Sequence, residues 1–253
     1  MASNNFLYYL SEPSVGIQAG HFNRMSGVHK FGHNGDVGSS FETIWGEGGI
    51  YAYPSVAITM QVSSSDVDDD DGDTGARSVE IEGLDGDYNE ISEIVTMNGQ
   101  SQVATANTYL RVHRMKVLTA GSSGQNEGII YIGTGSPTNG KPSTVYGLIE
   151  ANENQTLMAM YTVPAGHRAY VLQGRFTSNI SKAVTVKICA REEGSVFQVK
   201  IYRSFINGQI GLTHRTSEFY PPKTDIEARA KTAAGGGDIS ADFELALERI
   251  TGG

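Results

Sequence analysis

Residues 183–191, AVTVKICAR, decide the fold class because apolar and polar side chains alternate along them. Successive side chains of a β-strand point to opposite faces, so Val184, Val186 and Ile188 share one face and the residues between them share the other. A helix would scatter the same apolar side chains around its axis. The stretch therefore predicts a strand that turns one face toward a core.

The same alternation recurs along the chain, at residues 79–82, 197–202, 225–231 and 243–248. Strand-like runs follow one another about every 10–15 residues, separated by Gly, Asn, Asp or Ser, as in sandwiches and barrels. The sequence therefore predicts an all-β fold with one or two antiparallel, jelly-roll-like β-sandwich domains.

The predicted domain organisation has three parts. Residues 1–40 are rich in Gly and poor in apolar repeats, so we expect an extended N-terminal arm. Residues 41–150 and 151–253 are each predicted as a β-sandwich domain, with a soft boundary near GLIEANENQT at 147–156. Each half exceeds the roughly 55–65 residues that can fold alone, although the pattern also allows one continuous core.

Composition argues against several classes of protein. The 253 residues include 19 basic and 28 acidic side chains, a formal net charge of −9, which disfavours nucleic acid as a partner. With a single Cys the chain has no multi-cysteine metal site, and no cofactor is expected. No run approaches the roughly 20 apolar residues that cross a bilayer, and the N-terminus lacks the pattern of a secretion signal, so no membrane partner is expected.

The acidic stretch Asp66–Asp73 is a weak candidate for calcium, with Asp68, Asp70 and Asp73 as possible ligands. Counted from Asp66, the twelfth position of a calcium loop would be Arg77 instead of the bidentate Glu that closes such a site. A solvated, self-repelling loop accounts for the stretch better, so no metal is predicted.

No catalytic residue can be named. Cys189 occupies an alternating strand position, and no Gly-x-Ser-x-Gly elbow occurs in a strand–turn–helix context. The chain is therefore predicted not to be an enzyme, and a glycan-cleaving activity is the least favoured hypothesis because no acid pair stands out. A sugar-stacking platform would need the aromatic residues Tyr8, Tyr9, Trp45, Tyr51, Tyr53, Tyr202 and Tyr220.

Several segments resemble those that recur in virion proteins of tailed bacteriophages, many of them marine. They are FETIWGEGG at 41–49, followed by Tyr51 and Tyr53-Pro54, then VEIEGLD at 79–85, YNEISE at 88–93, TVPAG at 162–166 and PKTDIE at 222–227. The resemblance spans residues 28–250, and its segments are turns and strands, without a catalytic signature.

The resemblance implies a non-enzymatic structural protein located in the virion, either a capsid decoration or cement protein or a neck or collar component. Its expected partners are copies of itself, with a homotrimer favoured, and the major capsid, portal or other neck and tail proteins. The alternative is a carbohydrate- or receptor-binding β-sandwich module of the same particle.

The N-terminal arm, residues 4–37, is the predicted anchoring element. Deletion of residues 1–36 is expected to leave a folded protein that no longer assembles. The residues predicted to form the interface or anchor are Phe6, Tyr8, Tyr9, His29, Phe31 and Trp45.

Overall fold

A computed structural model describes residues 13–213, 218–233 and 235–250. These residues form one six-residue helix, α1 (Pro13–Gln18), and fifteen strands, all paired antiparallel. The prediction of an all-β fold with antiparallel sheets is confirmed. Over the described ranges, no helix has the length and apolar character needed to cross a membrane.

The strands, in chain order, are β1 (Met25–Val37), β2 (Glu42–Thr43), β3 (Ile58–Ser64), β4 (Ala76–Leu84), β5 (Glu90–Thr96), β6 (Val103–Tyr109), β7 (Arg111–Ala120), β8 (Ile130–Thr134), β9 (Thr144–Ile149), β10 (Met160–Thr162), β11 (His167–Arg191), β12 (Gln198–Thr213), β13 (Phe219–Tyr220), β14 (Asp225–Thr232) and β15 (Gly237–Arg249).

The largest sheet has eight strands, in the order β1-β15-β11-β14-β10, with β12 and β13 paired to β11 and β2 paired to β14. Its centre is β11, whose 25 residues pair with β15 in one half and with β14 in the other. The alternating residues Val184, Val186 and Ile188 are at most 1% exposed and line the core of this sheet, as the sequence predicts.

Two smaller sheets, β6-β3-β8-β9 and β5-β4-β7, turn their apolar faces toward a shared core. Met60 and Ile132 come from the four-stranded sheet, and Ile81 and Met115 come from the three-stranded sheet. All four side chains are fully buried, and burial of each stabilises the fold by roughly 1.5–3 kcal/mol.

The expectation of an extended arm over residues 1–40 is wrong for residues 25–37. They form β1, which pairs with β15 from Met25↔Glu248 to Val37↔Gly237. Alternation of apolar residues does not predict this strand because three of its buried positions are Lys30, Gly32 and Asn34. Gly32 is required there, since a Cβ atom would lie 2.3 Å from the backbone nitrogen of Ala159.

The first twelve residues, with the predicted interface residues Phe6, Tyr8 and Tyr9, lie outside the described residues.

The division of the chain into two domains at about residue 150 stays a prediction. Strands β3–β9 fall within residues 58–149 and build the two smaller sheets, whereas the eight-stranded sheet combines β10–β15 with β1 and β2.

An aromatic cluster lies between these two parts. Trp45 and Tyr51 are each 4% exposed and pack against Met158 and Met160, with Tyr146 of β9 at the edge of the cluster. The Tyr51 hydroxyl donates a hydrogen bond to the Tyr146 carbonyl oxygen at 3.0 Å. These contacts connect the four-stranded sheet with the eight-stranded one.

Candidate assembly surface

Strand β12 is a long edge strand. Over its 16 residues, and within the described part of the chain, its only strand partner is β11. Three apolar side chains on it face solvent, with exposed fractions of 51% for Val199, 51% for Tyr202 and 64% for Ile206. An unpaired edge with exposed apolar side chains favours contact with another chain.

Cross-strand register places a set of cationic and aromatic side chains on the outer face of the sheet beside this edge. Lys187 pairs with Tyr202 on one side and with Arg229 on the other. In the next row of this face, Thr185 lies opposite Ser204 and Lys231, and the Thr185 and Ser204 hydroxyls are 3.2 Å apart.

Phe41 lies over this face. Its ring centroid is 4.0 Å from Lys187 Nζ, 5.0 Å from Lys231 Nζ and 6.2 Å from the Tyr202 ring. Among the described residues neither lysine forms an ion pair, whereas Arg229 is paired with the buried Glu227. Contact with the ring holds both ammonium groups without neutralising them. We call Phe41, Lys187, Tyr202, Ile206 and Lys231 the lysine face.

Charge is unevenly distributed along the chain. β11 carries five Lys or Arg residues and β12 carries two, and neither strand contains an Asp or Glu. All 28 acidic residues therefore lie elsewhere in a chain whose net charge is −9. The protein thus combines a basic ribbon with an acidic body.

The acidic loop at residues 66–73 is organised around a buried carboxylate that the sequence analysis did not single out. Asp69 is fully buried and accepts hydrogen bonds from the backbone nitrogens of Ala76 (2.8 Å), Glu127 (2.9 Å) and Gly128 (2.9 Å). The Ser64 hydroxyl donates to it as well, at 2.6 Å. Asp69 thereby fixes the loop and leaves its neighbours near the surface.

The three candidate calcium ligands, Asp68, Asp70 and Asp73, do not form a cluster. Within the described residues, the carboxylates that converge to within 4.8 Å belong to Asp66, Asp68 and Glu127. Asp70 instead accepts a hydrogen bond from the Gly72 nitrogen at 3.1 Å. Desolvation, followed by the nearby charges of Asp66 and Glu127, raises the pKa of Asp68, so the loop is a site of like-charge repulsion.

The predicted interface residues of β1 and the following turn have different environments. His29 is exposed and Phe31 is half-buried, with their rings 5.2 Å apart and the Arg114 guanidinium 5.8 Å from the Phe31 ring centroid. Their role in assembly stays a prediction. Trp45 is wrong as a docking residue because it is buried, with its indole nitrogen donating to the Gly48 carbonyl oxygen at 2.8 Å.

The described aromatic residues do not form the sugar-stacking platform that the alternative, carbohydrate-binding hypothesis requires. Trp45, Tyr51 and Tyr53 stack edge-to-face on one another, with ring centroids 5.0 and 4.8 Å apart, and Tyr220 is only 6% exposed. Tyr202 is open to solvent and belongs to the lysine face. The aromatic pattern in the sequence reflects internal packing.

Cys189 lies in the sheet as a buried thiol, 1% exposed. Burial raises the pKa of this thiol, which favours the weakly nucleophilic protonated form. Cys189 is thus a packing residue of the strand, in line with its alternating position in the sequence.

A cleft of about 460 Å³ opens between β1, β4, β5 and β7. Lys30 of β1 is 4% exposed there and donates a hydrogen bond from Nζ to the His113 carbonyl oxygen. Desolvation, reinforced by the Arg114 charge and opposed by Glu82, lowers the pKa of Lys30 to about 7. The same burial lowers the pKa of the His113 ring.

The Lys30→Met variant should be more stable than the parent at pH 7 and lose its advantage toward pH 10. Between pH 7 and the unfolded value of 10.5 the unfolded chain binds the additional proton, so parental stability rises with pH across this window. Between pH 7 and pH 10 the free energy of unfolding of the parent should rise, relative to that of the variant, by at most on the order of 4 kcal/mol. Urea unfolding at pH 7, 8.5 and 10 measures it.

Lys116→Met is the matched control for this prediction, since Lys116 lies at the surface between Glu80 and Glu82, 2.8 Å from each. The control should keep the parental pH dependence. Parallel stability curves for Lys30→Met and the parent from pH 7 to 10 would contradict the buried-lysine interpretation.

A buried ionic cluster joins the two parts of the chain. Asp225 of β14, 2% exposed, accepts from Arg111 Nε at 2.8 Å and Arg111 Nη2 at 3.1 Å. Arg191 and the Thr162 hydroxyl bind the same carboxylate, the latter at 2.6 Å. From the alternation alone, Asp225 would lie on the polar outer face of the sheet. In the structure β7 covers that position, and Arg111 of β7 binds the carboxylate.

Comparisons with known proteins show little. No protein-family model and no curated protein matches the chain. Among solved structures, the infectious bursal disease virus Gt strain is 12% identical with a TM-score of 0.15, covering 90% of this chain and 77% of that one. The STIV MCP is 10% identical with a TM-score of 0.23, covering 88% and 97%.

A third match is to the infectious bursal disease virus VP2 subviral particle, at 11% identity and a TM-score of 0.19, covering 98% of this chain and 83% of that one. At these TM-scores the superpositions carry no argument about function.

Proposed function

We propose that this chain is a non-enzymatic structural protein of a virion, acting by self-association and by docking on a larger particle. The observation that carries the proposal is the 16-residue edge strand β12, which presents exposed apolar side chains beside an unneutralised cationic face. Such a surface fits recognition by another macromolecule better than chemistry on a small molecule.

The rest of the fold supports the same role. Antiparallel sheets with fully buried cores make a rigid body, and the ionic cluster at Asp225 ties the smaller sheets to the large one. Repeated contacts between such bodies sum many modest burial terms, each Å² of apolar area contributing roughly 25 cal/mol before the cost of association.

Within this role we propose a capsid decoration or neck-collar component of a tailed bacteriophage, favoured as a homotrimer. The segments at 41–49, 79–93, 162–166 and 222–227 support this assignment through their resemblance to virion proteins of such phages. The major capsid protein, the portal or another neck or tail protein would be the docking partner.

Quantitative mass spectrometry of purified particles of the virus that encodes the chain tests the proposal. The chain should be present at a constant ratio to the major coat protein through successive purification steps. A ratio that falls toward zero as the particles become purer would contradict a structural role.

A further inference from the structure

We propose that the lysine face of one copy docks on the acidic loop, residues 66–73, of a second copy. This inference rests on the proposed self-association and assigns the two surfaces that make it. The contact is head-to-tail, because two different surfaces of the same chain meet.

The lysine face supplies the cationic half of the contact. Lys187 and Lys231 are held near one Phe41 ring at 4.0 and 5.0 Å, and neither has a carboxylate partner in the described structure. The neighbouring Tyr202 and Ile206 are 51% and 64% exposed, so apolar area lies next to the two charges. Charged groups beside apolar area that a partner can bury are typical of specific protein interfaces.

The acidic loop supplies the anionic half. Asp66 and Asp68 converge with Glu127, and Asp71 and Asp73 are exposed. In the described residues no Lys or Arg pairs with the side chain of any of these aspartates. Val67, 60% exposed in the same loop, offers an apolar contact for Tyr202 or Ile206. Each surface thus lacks a counter-charge that the other could provide.

Symmetric pairing of two β12 edges is disfavoured by charge. Lys200 is already paired with Glu218 at 2.8 Å, and the other charged side chain of β12, Arg203, forms no ion pair within the described structure. Two such edges would therefore bring an arginine from each copy into the contact with no carboxylate to neutralise it. A head-to-tail contact avoids this repulsion and can close into a ring when the rotation between copies allows it. A homotrimer of the proposed kind would have three such contacts.

A second copy also fits better than nucleic acid. A duplex would bring a long row of phosphates toward a chain whose 28 acidic residues all lie outside β11 and β12, whereas the loop offers a small group of carboxylates, three of which converge to within 4.8 Å with Glu127 included.

Three purified full-length variants test the assignment by sedimentation velocity. The first reverses the lysine face, Lys187→Glu with Lys231→Glu. The second reverses the loop, Asp71→Lys with Asp73→Lys, at two positions whose side chains make no hydrogen bond within the described structure. The third, Lys141→Glu with Lys223→Glu, equals the first in charge change and lies at lysines that pair with Glu47 and Glu193.

We expect the parent to self-associate, with weaker association in high salt. Each reversal of a proposed surface should weaken association by on the order of tenfold or more, and the control variant should behave as the parent. Mixing the first two variants should restore association into open pairs and even-membered species, since each retains the surface that the other lacks, whereas a three-membered ring of the two variants always contains one like-charge contact. Circular dichroism and thermal unfolding identify any misfolded variant. If the lysine-face reversal misfolds, Lys187→Gln with Lys231→Gln replaces it.

Two outcomes overturn the inference. Self-association unchanged by both reversals would place the contact elsewhere and leave the proposed function intact. A parent that stays monomeric at every concentration tested would overturn it as well, and binding of double-stranded DNA through Lys187 and Lys231 in a fluorescence anisotropy assay would then assign the face to a polyanion. Absence of the chain from purified particles, by contrast, would count against the proposed function itself.

Discussion

Replacement of Arg111 by Met is expected to lower the free energy of unfolding by about 3–5 kcal/mol. Arg111 is 6% exposed and makes two hydrogen bonds to Asp225, and its Nη1 donates to the carbonyl oxygens of Pro54 at 3.0 Å and Leu110 at 2.8 Å. Met fills much of the same space without these donors. It leaves the buried carboxylate with Arg191 as its remaining cationic partner, and urea unfolding at pH 7 measures the loss.

Arg168→Met is the matched control. Arg168 also pairs with a carboxylate, Glu248 at 2.9 Å, but its side chain is 37% exposed, so the control should cost at most about 1 kcal/mol. Asp225→Asn should be as harmful as Arg111→Met because it leaves two arginines without their counter-charge. Equal stability of Arg111→Met and Arg168→Met would show that the buried cluster does not hold the two parts together.

Removal of residues 1–36 is expected to abolish folding of the eight-stranded sheet, which replaces the sequence-based expectation of a folded protein that fails to assemble. The deletion takes away all of β1 except Val37 and leaves the edge of β15 unpaired. Loss of twelve residues of this edge strand should cost a free energy comparable with the total stability of a domain, about 5–15 kcal/mol. Thermal unfolding followed by circular dichroism should show no cooperative transition for this sheet.

Deletion of residues 1–12 is the control, since every described strand remains. It should keep the parental transition. A cooperative, parent-like transition after removal of residues 1–36 would mean that β1 adds little to the sheet, and the original interpretation of this segment as an arm would then be restored.

The alternating runs predicted the central strands of the large sheet because their inward positions are apolar. Val184, Val186 and Ile188 of β11, and Phe243 and Leu245 of β15, face the core as a period of two requires. Here local pattern and tertiary burial agree, so the sequence was sufficient.

β1 could not be predicted in this way. Its buried positions include Lys30 and Gly32, which are tolerated for reasons that depend on distant partners. Lys30 needs the His113 carbonyl oxygen, and Gly32 needs the close approach of Ile44 and Ala159. Neither requirement leaves a local signal.

The candidate surface was predictable only in part. The alternation identified Lys187 and Lys231 as outward-facing, but Phe41 lies far away in sequence, and its position between them depends on the pairing of β2 with β14. Asp225 and Arg111 are likewise 114 residues apart. An uneven charge distribution, with no acidic residue in β11 or β12, was the signal that could have indicated the basic ribbon.

Electron cryomicroscopy of the particle tests most directly whether the chain is a structural component that binds copies of itself. The account predicts density for the described strands at symmetry-related positions, with the outer face of β11 and β12 against a neighbouring copy. A well-resolved map of intact particles with no density for this fold would contradict it.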